Sequence, residues 1–123
     1  MNAFFKTEGT YVPDALIAGN HHLLAGRKVT IASGQNLVRG AVVGKVTASG
    51  KYILSLAAAS DGSQTPDLIL AEDCNASAGD QACMAYSRGD FNASALTLGT
   101  GHTAASITEG LRSKGVVVLP SIA

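Results

Sequence analysis

The fold class of this chain is decided by the stretch GQNLVRGAVVGKV at residues 34–46, followed by GKYIL at residues 50–54. Valine, leucine and isoleucine recur through both segments, and glycine interrupts them at positions 34, 40, 44 and 50. Glycines at such spacing inside apolar runs mark bends and bulges of strands rather than the interior of a helix. The stretch therefore predicts a compact, strongly curved β domain, and it contains no catalytic group of its own.

Length and composition predict one domain with a core of small aliphatic side chains. The chain has 123 residues, of which 46% are hydrophobic and only 5% aromatic, and small β domains of this kind often gain stability by association. Nine basic and nine acidic residues cancel to a formal charge of zero, which argues against binding to nucleic acid or a membrane surface, because both need a basic patch. No apolar run predicts a spanning helix, and residues 1–6 lack the pattern of a signal peptide.

Residues 1–24 differ from the rest of the chain. Half of the aromatic side chains, Phe4, Phe5 and Tyr11, fall in the first eleven residues, and Pro13 interrupts regular structure. We expect a flexible N-terminal arm at 1–24 followed by a single β-rich domain at 25–123. The arm either folds back on its own domain or binds a partner, since aromatic side chains favour interfaces.

The apolar pattern predicts several short strands. Two strands are expected within 27–46, and further ones at 51–56, 68–70, 83–88 and 116–119, separated by turns at 61–67 and 89–92 and by a loop at 75–80.

One helix is expected near the C-terminus, over residues 104–114. Thr103 is placed to cap it, and Ser106 and Glu109 lie at capping-box spacing one turn further in. Ile107 and Leu111 fall on one face.

Histidine is the first place to look for catalysis. His21 and His22 lie in the arm, and His102 follows Gly99-Thr100-Gly101, which is more typical of a helix-entry turn than of a phosphate-binding loop. No catalytic constellation is evident, and we expect no enzymatic activity and no cofactor. The alternative is a small ligand-binding β-barrel or enzyme with a site near His102 and Glu72 or Asp73.

Acidic residues and cysteines do not form a metal-binding pattern. Asp61 and Asp67, with Glu72 and Asp73, lack the alternation of a calcium loop, so we expect no metal. Cys74 and Cys83 could pair across a hairpin, but without a secretion signal two reduced, half-buried thiols are the favoured interpretation.

The order of several segments is familiar. They are LVRGAVVG (37–44), GKY (50–52), SDGSQTPDLILAED (60–73), YSRGDFN (86–92), the C-terminal helix and GVVV (115–118). In this order, over about residues 26 to 120, the chain resembles the head decoration protein family of lambda-like tailed phages, small proteins that cement the outside of a DNA-filled capsid.

The resemblance implies a mainly β fold of the β-clip or β-tulip kind, with one short C-terminal helix and a flexible N-terminal arm. It implies a homotrimer at three-fold positions of an expanded phage head, on the outer surface of the virion, after assembly in the host cytoplasm. The arm would add a strand to sheets of the major capsid protein, with Phe4, Phe5, Tyr11 and Val12 as its capsid-binding side chains. No nucleic acid or membrane partner is implied, and Cys74 and Cys83 look like replacements for small apolar residues, which again favours reduced thiols.

Overall fold

The computed structural model describes residues 16–19 and 24–119. In chain order these residues form β1 (Ile17–Gly19), β2 (Ala25–Ile31), β3 (Asn36–Leu37), β4 (Val42–Lys45), β5 (Tyr52–Leu54), β6 (Leu68–Leu70), β7 (Cys74–Asn75), β8 (Gln81–Asn92), α1 (Ala104–Arg112) and β9 (Val116–Leu119). The mainly β class with one short C-terminal helix is confirmed.

Five of the strands close into a small barrel. β8 pairs with β2 along one edge, and the ring continues through β5, β4 and β6 back to the other edge of β8. The β2–β5 pair is parallel, through Ile31 and Tyr52, and the other pairs of the ring are antiparallel. Closing a sheet in this way removes free strand edges, which would otherwise expose unpaired backbone groups. The pair β3–β7 is a separate two-stranded sheet.

The strand β8 continues where a turn was predicted. Its residues Gly89–Asn92 pair with β9, and Phe91 also pairs with Ile17 of β1, so the predicted turn at 89–92 is wrong. Gly89 has a φ of 148°, a backbone conformation that glycine adopts readily, and a Cβ there would lie 2.5 Å from a methyl carbon of Leu24. The glycine lets the strand pass Leu24 instead of reversing the chain.

Alternate side chains of the central strands enter two different cores. Val43, Leu68 and Leu70 lie in the barrel interior, whereas Val42 and Ile69 point to its other side, where α1 and β9 cover them. Because both faces are buried, these strands are apolar without interruption. The second core comprises Leu16, Val42, Ile69, Phe91, Ile107, Leu111, Val116 and Val118.

The strands predicted at 68–70 and 116–119 are confirmed with the same bounds. The region 27–46 holds parts of three strands instead of two, because the short β3 lies between β2 and β4. The strand predicted at 51–56 is shorter, at Tyr52–Leu54.

Helix α1 begins with the predicted cap. The Thr103 hydroxyl oxygen accepts the backbone N–H of Ser106 at 3.2 Å, and the Ser106 hydroxyl oxygen accepts the N–H of Thr103 at 2.8 Å. The capping box is therefore Thr103–Ser106, and the box placed at Ser106 and Glu109 is wrong because Ser106 already lies inside the helix. The helix ends at Arg112, and the predicted pair of buried residues on one face is confirmed.

Part of the predicted arm packs against the domain. Leu16 is buried, its carbonyl oxygen accepts the N–H of Asn92 at 2.9 Å, and β1 extends the sheet beside β8. Residues 1–15 and 20–23 lie outside the described residues, so the division of the chain at residue 24 stays a prediction.

Cys74 and Cys83 form a disulfide between β7 and β8. The favoured interpretation of reduced thiols is therefore wrong. The two Cα atoms are 6.3 Å apart, a separation that a disulfide spans, and both side chains lie in the barrel core. The cellular compartment of a protein does not predict that two cysteines lie close together. Here their proximity depends on how β7 packs against β8.

Replacing Gly44 with alanine tests how closely the loop after β5 packs on β4. A Cβ at Gly44 would lie 2.1 Å from the carbonyl oxygen of Ser63 and 2.8 Å from that of Thr65. Because both obstacles are backbone, we expect Gly44→Ala to lower the free energy of unfolding by about 2 kcal/mol in urea denaturation. Gly110→Ala is the control, since a Cβ there meets nothing within 4 Å, and it should raise stability by up to about 1 kcal/mol. Wild-type stability in Gly44→Ala would refute the close packing.

Candidate interaction surface

The described part of the chain exposes three large apolar side chains, and two of them border one arginine. Val38 is 50% exposed and precedes Arg39 in the sequence. Met84 is 42% exposed, and both Met84 and Arg39 are hydrogen-bonded to the backbone of Ala71. The Ala71 N–H donates to the Met84 carbonyl at 2.9 Å, and the Ala71 carbonyl accepts from Arg39 Nη1 at 2.7 Å. We call the group formed by Val38, Arg39, Glu72, Asp73, Met84 and Tyr86 the Arg39 platform.

The guanidinium group of Arg39 is held on three sides. Its Nη1 donates to the Ala71 carbonyl and to Tyr86 Oη, the latter at 3.1 Å, and its Cζ lies over the Tyr86 ring at 5.6 Å from the centroid. The Arg39 backbone N–H donates to Asp73 Oδ1 at 2.8 Å. Tyr86 in turn packs against Phe91 with ring centroids 5.4 Å apart. These contacts give the platform a preset shape.

Met84 is positioned by β2 and by the segment between β6 and β7. Its backbone N–H donates to Glu72 Oε2 at 2.8 Å, and it pairs across the sheet with Lys28 of β2. A Cβ added at Gly26 would lie 3.2 Å from the Met84 methyl carbon, so the side chain covers that glycine. An exposed apolar side chain thus lies between a cationic and an anionic residue, an arrangement that matches an apolar interface centre with a polar rim.

A polar clasp holds the turn between β7 and β8. Asp80 accepts the N–H of Ser33 at 2.8 Å and pairs with Lys51 Nζ at 2.5 Å. The hydrogen bond from Lys51, aided by the one from Ser33, lowers the pKa of the Asp80 carboxyl. Since the folded-state pKa is depressed, this contribution to stability is present above the unfolded pKa and is lost as the pH falls through the folded value.

The residues of the alternative enzyme or ligand site have separate roles. Glu72 and Asp73 hold the platform, whereas His102 Nε2 lies 3.1 Å from the Gln64 carbonyl and 3.2 Å from Ser55 Oγ. A carbonyl can only accept, so Nε2 carries a proton and cannot take one from Ser55. The Ser55 hydroxyl donates to the Ser63 carbonyl at 2.7 Å. The imidazole therefore fastens loop to helix and does not activate a nucleophile.

The acidic turn residues also serve the fold. Asp61 accepts hydrogen bonds from both the backbone and the hydroxyl of Ser63, and these bonds lower its pKa. Asp67 accepts from the Tyr52 hydroxyl at 3.0 Å and pairs with Lys114, and burial together with Asp67 raises the pKa of that phenol. Among residues 16–19 and 24–119, no group of three or more His, Cys, Asp or Glu side chains is arranged to hold a metal ion.

The predicted capsid-binding side chains, Phe4, Phe5, Tyr11 and Val12, lie outside the described residues, as do His21 and His22. The Arg39 platform was not predicted. Its members come from three separate parts of the chain, at 38–39, 72–73 and 84–86, and only the packing of the strands brings them together, so the sequence pattern alone carries no signal for it. In the part of the chain that the structure covers, every helix is too short or too polar to cross a lipid bilayer.

The sequence is similar to a known protein family over most of its length. A family model described as bacteriophage lambda head decoration protein D matches residues 5–117. This range contains β1 to α1 in full and the start of β9. No curated protein matches the sequence.

The variant Arg39→Lys tests whether the guanidinium organises the platform. Lysine keeps the charge, but its compact ammonium lacks the planar guanidinium whose Cζ lies over the Tyr86 ring while Nη1 donates to Ala71 and Tyr86, so we expect a loss of about 1–2 kcal/mol in the free energy of unfolding in urea. The control is Arg112→Lys, because Arg112 pairs with Glu109 on an exposed helix face, where the loss should stay below about 0.5 kcal/mol. Equal losses in the two variants would show that the platform is no better organised than an ordinary surface pair.

Proposed function

The chain belongs to the bacteriophage lambda head decoration protein D family, and we propose that it binds as a trimer at three-fold sites of the expanded phage head and stabilises the shell against internal DNA pressure. Membership makes it a structural protein of a phage capsid. The match over residues 5–117 is the observation that carries the proposal. The proposed partners are further copies of the chain and the major capsid protein, with assembly in the host cytoplasm and a final position on the outer capsid surface.

The Arg39 platform supports self-association. It combines the exposed apolar side chains of Val38 and Met84 with an arginine and an aromatic ring, residue types enriched at interface centres. Lys28 and Glu72 flank Met84 with opposite charges, so a second neutral copy can approach without net repulsion. In a cyclic trimer the contact is heterologous, and the platform of one copy meets a different surface of the next.

The N-terminal arm is the proposed contact to the major capsid protein. β1 is the edge strand of the described sheet and pairs with β8. The sequence before Leu16 contains Phe4, Phe5, Tyr11 and Val12. An extended arm that adds a strand to another sheet gains backbone hydrogen bonds, and its alternate side chains fill pockets. Ordering one arm costs conformational entropy, but three arms on one trimer raise the effective concentration and recover affinity.

Stabilisation of the head then requires no turnover. A protein that binds the expanded shell but not its immature or burst form shifts the equilibrium towards the expanded shell by mass action. The role of the polar groups around His102 in fastening loops supports a non-enzymatic function, and no contact favours the ligand-binding alternative among the described residues.

Replacing the four arm side chains tests the capsid contact. Full-length protein with Phe4, Phe5, Tyr11 and Val12 all changed to serine should keep its folded domain and trimer, but its apparent dissociation constant for expanded, undecorated heads should rise about 100-fold or more. Binding is measured by co-sedimentation with heads, and the wild-type protein should add protrusions at three-fold positions in electron micrographs.

The matched control changes Asn2, Lys6, Thr7 and Thr10 of the same segment to serine, and it should bind nearly as well as the wild type. Serine replacement is preferable to removing residues 1–20, because such a deletion would take the buried Leu16 out of the second core. Undiminished binding by the four-serine variant would eliminate the arm contact, and failure of the wild type to decorate would eliminate the proposed function.

A charge placed on the platform tests the trimer. The double variant Val38→Lys/Met84→Lys would bury two unpaired cations at the contact, so it should sediment as a monomer at concentrations where the wild type is a trimer. Leu56→Lys is the control, since Leu56 is also a large apolar residue exposed in the described part of the chain and lies beside Gly99, away from the platform's contacts. A double variant that still forms trimers would place the contact elsewhere.

A further inference from the structure

The disulfide joins the two sides of the Arg39 platform. Cys74 follows Asp73, which holds the Arg39 backbone, and Cys83 precedes Met84, whose N–H is held by Glu72. The exposed hydrogen bonds that Glu72 and Asp73 accept from the backbone contribute little by themselves, because water competes for them. The covalent bond is therefore the strongest link between the segment that carries Glu72 and Asp73 and the strand that carries Met84.

Noncovalent contacts also hold the segment 74–83, which the disulfide closes into a ring. We therefore expect this segment to keep its conformation when the disulfide is reduced. The backbone of Ala76 donates to Gln35 at 2.7 Å and accepts from Gly34 at 2.8 Å, and Asp80 makes its clasp with Ser33 and Lys51. Both cysteine side chains are also surrounded by the apolar barrel core, at 2% and 5% exposure. A reduced cysteine behaves as a small apolar side chain and is commonly buried, so we expect the domain to fold before the cysteines are oxidised.

We propose that Cys74 and Cys83 are a redox-dependent lock: reduced while the protein is in a reducing cytoplasm, and joined afterwards to rigidify the Arg39 platform. Thiols stay reduced in a bacterial cytoplasm, whereas disulfides persist outside it. A capsid protein passes from the first environment to the second when the particle is released. The timing rests on the proposed function, but the lock itself does not.

The oxidant is a small-molecule disulfide such as oxidised glutathione. One cysteine thiolate attacks it, forms a mixed disulfide and releases one glutathione thiolate. The second cysteine thiolate then displaces the other glutathione, so that the protein loses two thiols, the small disulfide is reduced to two thiols, and the protons pass to glutathione. Because both sulfurs are buried, each step needs a local opening of the 74–83 segment, and the same burial protects the finished bond.

The experiment compares the full-length protein after incubation with oxidised glutathione and after reduction with a phosphine, with thiols counted by the mass added by a maleimide. Both forms should be folded, and the reduced form should melt about 10 °C lower, as expected for opening a ring of this size in a domain of this length. In hydrogen exchange, the amides of Arg39 and Met84 should exchange about tenfold faster in the reduced form. The amide of Val42, bonded to Thr97 at 3.0 Å, should change far less.

The double variant Cys74→Ala/Cys83→Ala is the control, and its melting temperature and exchange rates should be the same under both conditions. Three results would overturn the lock: free thiols that persist after oxidation, equal melting temperatures for the two forms, or a reduced protein that does not fold, which would make the bond an obligatory part of the fold. None of these measurements uses phage heads, so their outcome is separate from that of the decoration test.

Discussion

The structure depends on the backbone pairing of β8 along both of its edges. Ala85 pairs with Arg27 of β2 on one side and with Leu70 of β6 on the other, and this double pairing closes the barrel. Further along, Phe91 pairs with both β1 and β9. β8 therefore contributes side chains to the barrel core, to the second core and, through Met84 and Tyr86, to the platform. A change in its register would displace all of these side chains together.

Polar side chains in this molecule mostly hold loops against the barrel. The buried Ser55 and the partly exposed His102 fasten the loop after β5 and the start of α1, and Asp67 ties Tyr52 to Lys114. Among the described residues, His102 and the acidic side chains that could suggest catalysis when considered singly are engaged with backbone groups or with other side chains. These polar contacts therefore stabilise the loops around the barrel and leave no reactive pair among the residues that the structure describes.

Local sequence signals predicted the elements whose side chains alternate or recur within a few residues. The strand at 68–70 and the helix with Ile107 and Leu111 on one face are examples, because period and capping are properties of neighbouring residues. The extension of β8 through Gly89 was missed, since the same glycine favours a turn or a strand according to what packs beside it. The Arg39 platform depends on partners more than thirty residues apart in sequence. The disulfide depends on how β7 packs against β8. No local sequence pattern predicts either of them.

The burial of Leu16 has a mechanical consequence for whatever the preceding residues bind. Its side chain is held among Phe91 and the other members of the second core, and its carbonyl accepts the N–H of Asn92. A pull on the chain before Leu16 is thus delivered to the end of the longest strand and shared between a hydrophobic anchor and several backbone hydrogen bonds. If the residues before Leu16 bind the shell as proposed, outward strain in that shell would load β8, the longest strand of the described residues.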